Sequence, residues 1–268
     1  MLNSSPKLLS VIVPCYKQGK LIVKILNHIE FVLKRTSYPY EIIAVVDGTA
    51  IDKTYHYAKR VKSSKIRVFG YKNNKGKGYA LRFGVVRSRG DVIAFIDAGT
   101  DLNPTGLQML VAHYFWYDAD IIVGSKWHPV SKVRYPLWRK ILSKGYGLFV
   151  KILFNLRIRD TQLGMKLFRR DVLENVLPRL LVKKYALDIE LLAVSNYLGY
   201  NHIYEAPVEL TWDVVESTVS KRLPQTILEM ALDTLAVFYR LRILKYYDSA
   251  SKRKWEYDPD LDFRVNVG

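Results

Sequence analysis

Apolar residues along this chain fall into two alternating kinds of run. Short blocks at Leu8–Pro14, Glu41–Asp47, Ile66–Phe69, Asp91–Asp97 and Asp120–Ser125 are aliphatic or β-branched at nearly every inner position. Such continuous runs predict strands buried on both faces. Between them, Lys20–Arg35 places Leu21, Ile25, Leu26, Ile29, Val32 and Leu33 at helical spacing, and Asp52–Val61, Tyr79–Arg87 and Pro104–Tyr117 predict three further helices. Strand and helix alternating in this way predict an α/β fold, a doubly wound and mostly parallel central sheet flanked by helices. Ligands of such sheets bind outside the carboxyl ends of the strands. Those ends here read Pro14-Cys15-Tyr16, Asp47-Gly48-Thr49, Asp97-Ala98-Gly99 and Gly124-Ser125, so a site is expected along one edge.

The second half has a different pattern. From Lys126 to Arg170 there are twelve Lys or Arg and one acid, Asp160. Within it Trp138, Ile141, Leu142, Gly145, Leu148, Phe149 and Ile152 share one helical face, with Arg139, Lys140, Lys144 and Lys151 off that face. This reads as a basic amphipathic helix lying in a membrane interface, or equally as a surface helix packed on the core. A second apolar helix is expected over Gln225–Tyr247, through Leu228, Leu232, Leu235, Phe238 and Leu241, and then a polar, extended tail from Ser249. The expected organisation is a catalytic domain over 1–222 and a C-terminal amphipathic helix and tail over 223–268.

Composition narrows the partners. Lys and Arg number 42 against 25 Asp and Glu, a formal charge of +17, which favours anionic ligands or surfaces. No helix-turn-helix, zinc or RNP pattern accompanies the charge, so nucleic acid is not expected. Cys15 is the only cysteine, which excludes an internal disulfide and a cysteine zinc site. No signal peptide and no membrane-spanning run of about 18 apolar residues is expected. The five histidines lack metal-ligand spacing.

Two segments carry candidate chemistry. Asp97 closes a buried strand and Asp101 follows in a short loop. Two carboxylates converging at a strand end repel, and a divalent cation such as Mg²⁺ or Mn²⁺ relieves that repulsion while also binding phosphate oxygens. Asp101 as cap of the helix at Pro104 is the alternative. The second segment, Asn73-Asn74-Lys75-Gly76-Lys77-Gly78-Tyr79-Ala80, precedes a helix. Glycines let backbone approach an anion, the helix start attracts it, and Lys77 adds a point charge. It is not a P-loop, since no Ser or Thr follows the lysine; a turn with a cap is the alternative.

An ordered set of segments resembles the family 2 glycosyltransferases of GT-A fold, nearest the polyprenyl-phosphate (dolichyl-phosphate) mannose or glucose synthases. The set comprises Val11-Ile12-Val13-Pro14-Cys15-Tyr16, Val46-Asp47-Gly48-Thr49 with Asp52 and Thr54, Gly76-Lys77-Gly78, Asp97-Ala98, Val123-Gly124-Ser125-Lys126, Asp160 to Lys166, Asp188 to Leu192, and Pro207-Val208. The resemblance runs over about residues 8–222. It implies a nucleoside-diphosphate sugar (UDP- or GDP-hexose) bound by Pro14, Tyr16, Gln18, Asp47, Lys77, Asp97, Ala98 and Gln162 over about 8–125, and an acceptor side over about 126–222. It implies a metal on Asp97 and Asp101. The pattern departs at Val46 and Thr49, where the family shows Asp and Ser, at Gln18 in place of Glu, and at Gly99, where a metal ligand is usual.

The family chemistry implies inversion by direct displacement. A lipid monophosphate acceptor has a second pKa near about 6 and is already anionic, so it needs cations rather than a general base. Lys126, Arg134, Arg139 and Lys140 are the expected acceptor-phosphate residues, with Asp97, Asp188, Arg134 and Arg139 as the catalytic set. Asp188 and Glu190 read equally as helix-start acids favoured by the dipole. The implied product is a polyprenyl-phosphate hexose, made at the cytoplasmic, inner face of a membrane by a peripheral enzyme, alone or beside a membrane-protein partner. Transfer to a sugar hydroxyl in cell-surface polysaccharide or glycolipid synthesis is the alternative.

Overall fold

A computed structural model describes residues 8–134, 137–182, 186–211, 223–248 and 254–266, with the side chains of 134, 137–139 and 223–226 outside the description. The predicted strands form β1 (Leu9–Cys15), β2 (Tyr40–Asp47), β3 (Ile66–Tyr71), β4 (Val92–Ile96) and β5 (Ile121–Ser125). The helices between them are α1 (Leu21–Leu33), α2 (Thr54–Ala58), α3 (Lys77–Arg87) and α4 (Gly106–Tyr117). The second half adds β6 (Lys132–Arg134), α5 (Leu137–Phe154), β7 (Met165–Arg169), α6 (Arg170–Val176), α7 (Leu187–Tyr197), β8 (Ile203–Pro207) and β9 (Glu209–Thr211). The chain then continues through α8 (Leu223–Phe238), a π-helical turn at Tyr239–Ile243, β10 (Trp255–Asp258) and β11 (Phe263–Asn266).

Seven strands form one sheet in the order β3-β2-β1-β4-β7-β5-β8. β1 is parallel to β2 and β4, and β2 to β3, while β7 runs antiparallel between β4 and β5, and β8 pairs parallel with β5. The reversed strand inserts Met165–Arg169 beside Asp97 and is what makes the sheet mostly rather than wholly parallel. Leu9, Val11 and Val13 pack on one face with α1 and α4, whereas Ile12, Ile43 and Val45 pack on the other with α3, α6 and α7. Burial on both faces explains why these strands read as unbroken apolar runs.

Helix bounds differ from the expected ones mostly by a few residues at the ends. α2 keeps only Thr54–Ala58 of the expected Asp52–Val61, because Asp52 turns its carboxylate onto the Thr54 amide and hydroxyl. The tail is not simply extended: β10 and β11 pair as an antiparallel hairpin, and Leu261 at its turn is buried in the core. Alternating Trp255, Tyr257, Phe263 and Val265 carried the signal for it.

Candidate active site

The carboxyl ends of β1, β2 and β4, with the start of α3, enclose a cleft of about 720 Å³, within the range of small-molecule sites. Pro14, Tyr16, Gln18, Asp47, Lys77, Asp97, Ala98, Gln162 and Asp188 line it, joined by Asn74 and by Glu229 from α8. The eight residues expected to meet the nucleotide sugar therefore share one cavity.

Asp47 is buried at the end of β2 and organises the loop before α3. Its carboxylate accepts the Lys75 amide at 2.7 Å, the Gly76 amide at 2.9 Å and Asn74 Nδ2 at 2.8 Å. Gly76 has φ of 91°, which favours glycine and turns the chain directly into α3. That turn aims Lys77 into the cleft. Its Nζ lies 2.9 Å from Asp97 Oδ1 and 3.4 Å from Asp188 Oδ2. Burial opposes the lysine's charge, but Asp188 and Asp97 outweigh it and raise the ammonium pKa above its ordinary value.

Asp188 joins this cation to a second one. Lys166, buried in β7, donates to Asp188 Oδ1 at 2.6 Å and to the Leu163 carbonyl at 2.6 Å. Burial alone would raise the Asp188 carboxyl pKa; Lys166, then Lys77, hold it below its usual 3.8. Asp188 thus stays ionised between two lysines, a poor general base and a good support for Lys77. Glu190, two residues on, is wholly buried and accepts the Leu181 and Val182 amides and the Tyr247 hydroxyl, so it fastens the C-terminal segment rather than facing the cleft.

The loop after β4, where a metal is expected, has a geometry that accounts for its glycine at position 99. Asp97 closes β4 with its amide on the Gly164 carbonyl at 2.9 Å, and its side chain is 46% exposed in the cleft. A Cβ at Gly164 would collide with the Asp97 carboxylate, and a Cβ at Gly99 would collide with Asp101 Oδ1. Asp101 therefore carries its carboxylate into the space that a side chain at position 99 would enter. Two carboxylates suit Mg²⁺ or Mn²⁺ when phosphate oxygens complete the shell. Among the described residues no group of three or more His, Cys, Asp or Glu could hold a metal.

Gln162 presents a buried Nε2 with no partner among the described residues, at the wall of the cleft. Buried donors are normally satisfied, so a ligand atom is the natural acceptor. Tyr16 is 45% exposed at the cleft edge, while the amides of Gln18 and Gly19 are held by Thr54 and Asp52. Burial raises the pKa of the Cys15 thiol and keeps it inert.

The acceptor residues fare unevenly. Lys126 is not an open cation: its side chain is 8% exposed and donates from Nζ to both oxygens of the buried Asp160, at 2.9 and 3.0 Å. That pair also sets the Asp160 turn through the Gln162 amide, so the ammonium expected at the acceptor is ion-paired to Asp160 in this structure. Lys140 lies on α5; the side chains of Arg134 and Arg139 lie outside the described residues. Lys166 was missed as a functional residue, although a lysine in the apolar run Met165-Lys166-Leu167-Phe168 is the signal that finds it. Gly164 and Glu229 carry no comparable signal.

Known proteins place this geometry. The family model described as "Glycosyl transferase family 2" matches residues 10–177. The dolichyl-phosphate beta-glucosyltransferase of Homo sapiens is 32% identical over 269 residues, covering 90% of this chain and 78% of that protein. The enzyme of the same name from Dictyostelium discoideum is 30% identical over 247 residues, covering 87% and 74%. Among solved structures, glucosyl-3-phosphoglycerate synthase from Mycobacterium tuberculosis with uridine diphosphate superposes with a TM-score of 0.64 at 16% identity, over 98% of this chain and 88% of that one. Mannosyl-3-phosphoglycerate synthase from Rubrobacter xylanophilus gives 0.65 at 14% identity, over 94% and 82%. The chain belongs to glycosyltransferase family 2 and has its GT-A fold.

Proposed function

We propose that the protein transfers a hexosyl group, glucosyl by its relatives, from a uridine-diphosphate sugar to a dolichyl-type polyprenyl phosphate, with inversion at the anomeric carbon. The observation that carries the proposal is the cleft itself, where Lys77, Asp97 and the Asp101-filled turn meet an unpartnered donor on Gln162. Relatives about 30% identical over most of the chain are named dolichyl-phosphate beta-glucosyltransferases. A fold neighbour was crystallised with Mn²⁺ and UDP-glucose, which supports the donor class and the metal.

Asp97 and Asp101 would hold the metal, which when bound neutralises charge on the leaving diphosphate. Lys77, which lies 2.9 Å from Asp97 and 3.4 Å from Asp188, would supply a cation to the diphosphate, with Asp188 holding it in place. Gln162 donates to the sugar, fixing the anomeric carbon for attack. The acceptor phosphate is already anionic, which fits a site where Asp188 is ionised and salt-bridged instead of poised as a base.

The membrane side supports a lipid acceptor. α5 turns Val150 and Phe154 inward and exposes Ile141, Leu148 and Ile152 at 72%, 59% and 74%. α8 packs beside it through Tyr146 and Thr234 at 2.7 Å and exposes Leu228 and Leu232 at 60% and 57%. Exposed apolar rows on adjacent helices, in a chain of charge +17, suit an anionic cytoplasmic leaflet. Among the described residues no helix is long and apolar enough to cross a membrane.

The test is incubation with radiolabelled UDP- and GDP-hexoses and polyprenyl phosphate, with and without Mn²⁺. Label entering organic solvent from the UDP sugar, only with metal, is expected. Label appearing only in water-soluble glycan would refute the acceptor and favour the sugar-hydroxyl alternative.

A further inference from the structure

The loop that delivers Lys77 is held from two sides, and the outer side comes from the far end of the chain. Asp47 grips its backbone from within, as described above. Outside, the turn of the β10–β11 hairpin meets it. Asp260 Oδ2 accepts from Lys75 Nζ at 3.2 Å and from the Tyr79 hydroxyl at 3.2 Å. The Tyr79 hydroxyl also reaches Asp258 Oδ1 at 3.3 Å, and Lys75 Nζ reaches that hydroxyl at 2.9 Å while lying 4.1 Å from the ring centroid.

The turn is itself fixed. Asp258 Oδ1 accepts the Asp260 amide at 2.9 Å, and Leu261 sits buried in the core. Both Nη atoms of Arg87, at the end of α3, donate to the Asp260 carbonyl at 3.0 and 3.1 Å. Tyr246 binds Asn266 at 2.7 Å and ties the base of the hairpin to the segment after α8. The hairpin thus touches α3 at both ends, at Tyr79 and at Arg87, and touches the loop at Lys75, two residues before the cleft lysine. The hairpin's side of these contacts, Asp258 and Asp260, lies beyond the matched family domain, residues 10–177, while Lys75, Tyr79 and Arg87 lie within it.

We infer that the Asp258–Asp260 turn is a latch that positions Lys77 for the donor diphosphate, with Asp260 and Tyr79 as positioning residues. The inference rests on the proposed role of Lys77. An ordered hairpin removes freedom from a glycine-flanked loop before the donor arrives, so less ordering is required at binding. Its strength is bounded by exposure: Lys75 and Asp260 side chains are 39% and 54% exposed, a setting where single ion pairs contribute little. A shift of several-fold in donor affinity, and not loss of activity, is the expected scale.

The experiment measures binding of UDP and steady-state kinetics with the UDP sugar on the full chain. Asp260→Ala is expected to raise Kd and donor KM three- to fivefold, with kcat within twofold and Tm within 2 °C of the parent. Asp260→Glu is expected to recover the parent affinity, and Lys75→Met with Asp260→Ala is expected to be no worse than either alone. Unchanged KM in Asp260→Ala, or additive effects in the double variant, overturns the latch. Lys77→Met is the control. If it leaves UDP affinity intact, the role assigned to Lys77 fails and the latch with it. If it weakens binding tenfold while Asp260→Ala does nothing, the latch alone fails.

Discussion

Replacing Lys166 by Met tests whether the two-lysine support of Asp188 is the strongest electrostatic element of the site. Lys166 is 1% exposed and Asp188 12%, at 2.6 Å, so water screens their interaction weakly. Breaking such a pair by removing one partner costs roughly 3–5 kcal/mol, because the remaining charge stays buried. Lys77 persists at 3.4 Å and offsets part of that loss, so about 3 kcal/mol is expected. For a chain of this size that corresponds to a fall in Tm of about 6–12 °C. Urea unfolding of Lys166→Met, Asp188→Asn and the double variant gives the coupling directly. The double variant should recover at least about 1 kcal/mol relative to the sum of the singles. The pH dependence follows from the same contacts. Asp188 is held below 3.8 when folded, so its contribution is complete above about pH 5 and fades as pH falls through the folded-state value. Lys166→Met should flatten that acid-side slope. A fall in Tm under 2 °C, or strictly additive singles, would refute the reasoning.

Gly164→Ala places a Cβ on the Asp97 carboxylate, so kcat/KM should fall at least a hundredfold with intact global unfolding, since the collision is at the cleft rather than in the core. Asp101→Ala should weaken Mn²⁺ binding in the presence of UDP about tenfold by calorimetry, and Gly99→Asp in that background should restore it; no change in Asp101→Ala would remove Asp101 from the metal site. Gln162→Leu should raise donor-sugar KM several-fold, worth about 1 kcal/mol for one neutral hydrogen bond, while UDP affinity holds. Leu228→Asp with Leu232→Asp should abolish co-sedimentation with anionic vesicles and leave UDP binding unchanged; retained co-sedimentation would show that α8 does not meet the lipid.

Most of the sheet was legible because β1, β2, β4 and β5 are buried on both faces and so read as continuous apolar runs. The amphipathic character of α5 was legible too, but not which apolar residues pack inward: Val150 and Phe154 do, and Ile141, Leu148 and Ile152 do not. Local signals also placed Asp47, Lys77 and Asp97 at strand and helix ends. What they do there was settled by contacts between distant segments. Lys126, expected as an acceptor cation, is ion-paired by Asp160, 34 residues on. Asp188, read as a catalytic residue or a helix-start acid, is bracketed by Lys166 and Lys77.

The sequence by itself determined the α/β alternation, the edge of the sheet that carries the site, and the family, since each depends on residues close together in the chain. Only the tertiary structure decided the pairing of Asp188 with Lys166 and Lys77, the filling of the Gly99 gap by Asp101, and the reach of Asp260 to Lys75. The physical reason is that burial and ion pairing are set by whatever the fold brings within a few ångströms, and residues 185 apart in sequence leave no periodic trace of one another.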